Sequence, residues 1–298
     1  MRKYFIILFI SFCTFIGKAQ QHYSSYERSL ILYNDSKNKI DFIGKIIYDM
    51  QFHVTDDDTS AVKNERMELL YNDSVSVFQN IRKGIKDSVL NELFERKQKL
   101  RVLPELGLYQ ENLGLTSILV LKNNMDILVQ DNYTNYLENT DKLFFYKEKI
   151  ALNWVLSDDT IHVLNYVCQK ATLDYGGRKW EAWFAPQIPI SDGPYKFSGL
   201  PGLILKMYDT EKSWQFECIG IEKSNRAVIL MSGNDQKKKT VSKKEYFKIR
   251  NDYLSNQIYY DEKNLDAIYI DNPPLKNKQD RFYRERNKRL NHIEKNIL

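Results

Sequence analysis

Residues Tyr175–Tyr208 read YGGRKWEAWFAPQIPISDGPYKFSGLPGLILKMY. The chain has 298 residues with seven prolines and twelve glycines, and four of those prolines and five of those glycines fall between Gly176 and Gly202. Glycine serves where φ is positive or where backbones approach closely, and proline fixes φ. Their concentration here specifies a long loop of defined shape. The flanks specify what carries it. Lys179 to Phe184 places Trp180, Ala182 and Phe184 on one face, and Leu203 to Tyr208 is a second extended apolar run. Tyr175-Gly176-Gly177 is a hairpin-type turn. The loop must therefore sit on a sheet.

Working outward, Ile161 to Cys168 is apolar on both faces, as in a central strand covered on two sides. Asp158-Asp159 reads as a hairpin turn between it and Ala151–Leu156. Downstream, Trp214, Phe216 and Cys218 alternate along a strand, and Val228 to Met231 is a further one. Upstream, short strands are expected at Gly44–His53, Glu65–Tyr71, Ser74–Gln79, Ser117–Lys122, Met125–Gln130 and Lys142–Lys147. Asn132 to Asp141 reads as an exposed connection, and Lys237 to Lys239 as a solvated loop. Asp56-Asp57-Asp58 lacks the spaced oxygen ligands of a calcium loop and reads as a turn.

Helices are few. Lys86 to Leu100 carries one apolar stripe at helical spacing, and Ser242 with Glu245 forms a capping box that opens a helix with Tyr246 and Ile249 inward. Lys278 to Ile297 reads as a basic helix that lies on its own domain or on a partner groove or anionic membrane surface. The pattern predicts an α+β domain that is mainly β: a large curved antiparallel sheet flanked by a few helices.

Met1 to Gln20 has a basic start, an apolar stretch and small residues at Gly17 and Ala19, the layout of a signal peptide. The expected organisation is a signal peptide at 1–20, one domain at 21–275 and a basic helical tail at 276–298. Without residues 1–20 the formal charge falls from +5 to +2, and the tail alone carries +5. The body is slightly acidic, so the basic balance gives no argument for nucleic acid. The apolar stretch within Met1–Gln20 is too short for a comfortable membrane span, and no other apolar run reaches its length. Cys168 and Cys218 read either as a disulfide enclosing the loop or as two separate buried thiols.

The standard catalytic and metal motifs are missing: the chain has no GxSxG, HExxH, CxxC or Walker loop, and its four histidines are dispersed. His162 reads as a core histidine rather than a base. Ser191-Asp192-Gly193 is a nucleophile beside a carboxylate on one reading and an Asx-type turn on the other; the turn is favoured because no base is in view. Trp180, Trp183, Tyr195 and Phe197 either form a ligand platform or pin the loop to the sheet, and Arg178 either anchors the loop through a carboxylate or is exposed.

From Cys168 through Asp209, the runs CQKAT, GGRKWEAWFAPQIPI and DGPYKFSGLPGLIL, followed by Asp209, resemble the GLPGLI family of exported Gram-negative envelope proteins. That resemblance implies a compartment and a loop, not a mechanism. The candidate binding or structural loop comprises Arg178, Trp180, Trp183, Asp192, Gly193, Pro194, Tyr195, Phe197, Gly199, Leu200, Pro201, Gly202, Leu203 and Ile204. No catalytic residue, cofactor or metal is assigned. The expectation is a periplasmic or secreted, non-catalytic accessory protein whose partner is an envelope protein or outer-membrane complex. The alternatives are a carrier of lipid or peptide in a half-open β-sheet cavity and a hydrolase with a dispersed site.

Overall fold

The structure, a computed structural model, describes residues 39–53, 62–85, 88, 118–135, 140–229, 238–250 and 293–295. A short strand β1 (Lys39–Asp41) leads into a meander of six: β2 (Gly44–His53), β3 (Val62–Tyr71), β4 (Ser76–Asn80), β5 (Leu119–Asn123), β6 (Asp126–Asn135) and β7 (Thr140–Lys149). A second meander follows with β8 (Val155–Val163), β9 (Tyr166–Tyr175), β10 (Arg178–Ala185), β11 (Leu203–Asp209) and β12 (Trp214–Lys223). β12 pairs antiparallel with β2, which joins the two meanders edge to edge. β13 (Ala227–Ile229) pairs with β1, and β14 (Lys238–Thr240) adds in parallel to β7. The result is one twelve-stranded, almost wholly antiparallel sheet with β14 and β8 at its edges.

The sheet is strongly curled. Lys196 in the loop after β10 bonds Tyr146 of β7, while its neighbour Phe197 packs on Trp180 of β10 with ring centroids 4.8 Å apart. β7 and β10 are eight steps apart in the strand order, or about 38 Å across a flat sheet at ~4.8 Å per strand. Two consecutive residues touch both only if the sheet wraps around them. The period of two places Ile46, Tyr48, Met50 and Phe52 of β2 in one core with Trp214, Phe216 and Cys218 of β12 and with Phe197, Leu200 and Ile204 of the loop.

Two helical segments are described: α1 (residues 81–85) and α2 (residues 243–250). Ser242 caps α2, its hydroxyl accepting from the Glu245 amide at 3.2 Å. The Glu245 carboxylate accepts from Lys239 at 2.8 Å. Tyr246 and Phe247 pack inward beside Tyr146. Ser242→Ala is expected to cost about 1 kcal/mol, read as a shifted urea midpoint with an unchanged slope.

Several expected elements differ. Ile161 to Cys168 is not one central strand. The chain reverses between Val163 and Tyr166 with Leu164 at φ 52°, so β8 is an edge and His162 is exposed on it. Asp158-Asp159 is no hairpin turn; it lies in β8, where the register shifts between Leu156 and Thr160. A bulge with two carboxylates blunts this edge against further pairing. Lys238 and Lys239 belong to β14, and the segment read as an exposed connection lies largely in β6 and β7, up to Asn135 and from Thr140. Of Lys278–Ile297 only 293–295 are described, and those three are not helical. The Lys86–Leu100 helix, apart from Ser88, and the Met1–Gln20 stretch lie outside the described residues.

Candidate functional site

The loop from 186 to 202 is held first by its own backbone. Ile190 N donates to Ile188 O at 2.7 Å and Asp192 N to Ile190 O at 2.8 Å, two successive three-residue turns on Pro189 and Ser191. Asp192 pairs with Ser198 in an isolated bridge, and Ile204 N closes the unit on Asp192 O at 3.0 Å. Gly193 is required by space: a Cβ there would lie 2.7 Å from Ile204. Asp192 Oδ1 accepts from the next amide, Gly193 N, at 2.7 Å. The Asx turn expected here cannot form, because the residue two on is Pro194, which has no N–H. The same oxygen accepts from the Lys122 ammonium, which also donates to Gly193 O at 2.6 Å. Burial pulls the Lys122 pKa below its ordinary value against the pull of Asp192.

Side chains from the sheet then fix the loop in the concavity. Tyr48 Oη donates to Ile204 O and Trp154 Nε1 to Ser198 O, each at 2.8 Å. Trp180, Tyr195 and Phe197 converge there, all buried, with Pro194 buried beside them. These rings pin the loop. Trp183 stands apart on the other face of β10, beside Lys170 and Tyr208. Arg178 is buried and pairs with Asp209 at 2.6 Å, and Asp209 in turn accepts from the Trp214 amide at 2.8 Å. It therefore ties β10, β11 and β12 together. In the hexapeptide 199–204, Leu200, Gly202, Leu203 and Ile204 are buried while Gly199 and Pro201 face solvent.

The disulfide is not formed: Cys168 and Cys218 are both buried free thiols. Cys168 lies on β9 and Cys218 on β12, three steps apart in the strand order. Burial raises both thiol pKa values, that of Cys218 to about 11.

Beneath the loop lies a ring of four charges. Lys196 donates to Tyr146 Oη at 2.7 Å and to one oxygen each of Glu148 and Glu294 at 2.5 Å. Lys243 takes the other oxygen of each carboxylate at 2.7 Å. Tyr195 Oη donates to Glu294 at 2.6 Å. The main chain adds a clamp: Lys295 N donates to Gly176 O at 2.5 Å. Glu294 fits closely over Gly176, where a Cβ would meet its Cγ at 2.9 Å.

Beside the loop an open cleft of about 730 Å³ is bounded by Pro189–Asp192, Ser198 and Gly199 on one side. The β3–β4 turn, the β5–β6 turn and Ile150–Leu152 form the rest, with Ser76 and Lys122 also lining it. Ser76 and Lys122 are cross-strand partners, so their side chains share a face. Sequence reading found Asp192 but missed Lys122, Ser76, Trp154, Lys196, Glu148, Lys243 and Glu294. Their partners lie far along the chain, 70 residues for Lys122 and Asp192 and 98 for Lys196 and Glu294. A lysine set between two aromatics in a buried run was the one available signal. Among the described residues, no group of His, Cys, Asp and Glu is placed to hold a metal ion, and no helix is long and apolar enough to cross a membrane.

Residues 176–206 match a family described as "Protein of unknown function (Porph_ging)". No curated protein matches the chain. Two solved structures of PNGF-II, in P21 and C2 space groups, are similar to it with TM-scores of 0.42 and 0.40 and identities of 13% and 14%. The alignments cover 70% and 68% of this chain and 32% and 31% of those, so the chain spans about a third of their length.

Proposed function

We propose that this chain is an exported, GLPGLI-type accessory protein of the cell envelope, periplasmic or secreted, that holds a partner protein at the cleft beside its loop. One observation carries the reading: the loop is a self-bonded unit whose exposed residues Pro189, Ser191 and Gly199 line that cleft. A loop fixed so firmly from beneath presents a surface of constant shape, and pre-organisation of that kind lowers the entropy lost on binding. Phe197, Leu200 and Ile204 pack into the core under the sheet, which supports contact at the cleft beside the loop rather than carriage beneath it. Ser191 is exposed, while the neighbouring carboxylate is engaged by Lys122 and Gly193 N.

The test is made in cells that produce the protein. A photocrosslinker at Ser191 is expected to capture an envelope protein, from a mature chain beginning near Gln21. The same group at Lys179, an exposed position on β10, is not expected to capture it. A cytosolic chain with an intact N-terminus, or equal capture from both positions, overturns the reading.

A further inference from the structure

The floor of the cleft contains a polar group with nothing to do. Ser76 is 4% exposed and its hydroxyl has no hydrogen-bond partner among the described residues. Buried hydroxyls are ordinarily bonded, because an unmade bond costs the full desolvation of the group. Next to it, Lys122 uses two of its three N–H donors, on Asp192 Oδ1 and Gly193 O. Asp192 Oδ1 accepts from both Lys122 and Gly193 N, which leaves Oδ2 without a donor among the described residues. Spare donors and spare acceptors thus lie together, as the alternating N–H and C=O groups of an extended main chain require.

The rest of the lining narrows the occupant. Val75, Met125, Ile150, Leu152 and Ile190 give aliphatic walls, and Met125, at 54% exposed, is the sort of adaptable side chain that accepts varied apolar groups. Among the described residues no indole lines the cleft, and the one ring in its lining, Tyr71, is packed against Gly44. Lys122 and Asp192 neutralise one another, so Asp73 leaves the lining with a net charge of −1. An anionic occupant is disfavoured and a cationic one favoured. The volume lies within the roughly 300–1,000 Å³ usual for small-ligand sites.

We propose that the cleft binds an extended peptide segment of the partner, with its backbone on Ser76, Lys122 and Asp192, an aliphatic side chain on the walls and a Lys or Arg toward Asp73. The inference rests on the reading of the cleft as the contact surface and adds the chemistry of what is held.

The experiment screens the purified full chain against a positional-scanning library of acetylated, amidated hexapeptides, with chitotriose as a second probe. Pools with a fixed Lys or Arg are expected to bind at least tenfold more strongly than pools with a fixed Asp or Glu. Met125→Arg, which adds bulk and positive charge at the mouth, is expected to weaken binding at least tenfold. So is Ser76→Ala, but this variant should melt at or above the wild-type temperature, because it removes an unsatisfied hydroxyl. A merely structural Ser76 would show the opposite, lower melting with binding unchanged. Absence of binding by every peptide pool, equal binding of acidic pools, or Ser76-dependent binding of chitotriose overturns the proposal. Because crosslinking at Ser191 is read in cells, a partner captured there without peptide binding here would sink this inference and leave the accessory reading standing.

Discussion

Gly202→Ala is expected to lower the unfolding free energy by about 3 kcal/mol or more, while Gly199→Ala, three residues earlier in the same hexapeptide, costs only about 1 kcal/mol. Both glycines have positive φ, +153° at Gly202 and +91° at Gly199. Their surroundings differ. A Cβ on Gly202 would lie 2.3 Å from the carbonyl oxygen of Ala185 and 2.9 Å from Cα of Pro186, both backbone atoms at the point where β10 becomes the loop. Neither can rotate away as a side chain can, so the loop and the strand end must separate. That separation disturbs the bond from Ile188 N to Ala185 O at 3.1 Å and the one from Leu203 N to Ile188 O at 3.2 Å. At Gly199 no atom of the described residues lies within 4 Å of an added Cβ. There the cost is the backbone conformation alone, partly offset by the reduced entropy of the unfolded chain. Paired urea denaturations measure both. Equal costs at the two positions would show that the loop is not wedged against β10 as described.

What could be read from the sequence follows from how local each signal is. β2 runs from Gly44 to His53, the bounds its alternation gives, because a half-buried strand writes its period of two into every residue. The turn at Gly176 and Gly177 was legible because both residues take positive φ, 62° and 76°, which the sequence advertises as glycine. The β8–β9 hairpin was not legible, because its positive-φ residue is Leu164, an apolar side chain that reads as strand. The bulge in β8 hid behind Asp158-Asp159 for the converse reason: turn-forming residues there serve to interrupt a strand.

The larger omissions are of long-range pairing. Nothing in the alternation of β2 says that β12, more than 150 residues later, is its second neighbour. The aromatic content of the loop was visible, and so was its Asp192. The lysines that hold it were not, since a buried lysine looks in sequence like any exposed one until its partners are known. Ser76 was hidden further still: its interest lies in the absence of a partner among the described residues. The loop's shape was therefore legible and its attachments were not, and the cleft is made from those attachments.

Lys196→Met is expected to destabilise the protein by about 3–5 kcal/mol, the range for breaking a buried ionic network by removing one partner. Lys196 is fully buried and gives all three of its donors, to Tyr146, Glu148 and Glu294. Without it, two carboxylates share the single ammonium of Lys243, which is partly exposed. The penalty is therefore uncompensated charge more than lost attraction. It follows that neutralising a carboxylate as well should restore much of the stability. Lys196→Met with Glu294→Gln leaves Glu148 and Lys243 as a balanced pair, and a double-mutant cycle is expected to show a coupling of about 2 kcal/mol. Additive losses would mean that the four groups do not act as one ring. The pH dependence has a definite sign. Burial alone would raise the pKa of Glu294, but Lys196 and Lys243 outweigh it and hold the carboxyl below its ordinary value of 4.5. A depressed folded-state pKa means that the unfolded chain binds the proton more readily. The stabilisation is then fully present above about 4.5 and is lost as pH falls through the lower folded value. Denaturant midpoints measured from pH 6 down to pH 3 should fall for the wild type and fall less for Glu294→Gln. The tail residue Glu294 ties the end of the chain to the loop at Tyr195 and Lys196, so the same acid range should expose amides near Gly176, whose carbonyl accepts from Lys295 N. Hydrogen exchange at those amides that stays unchanged across the range would place the acid-sensitive contacts somewhere other than this ring.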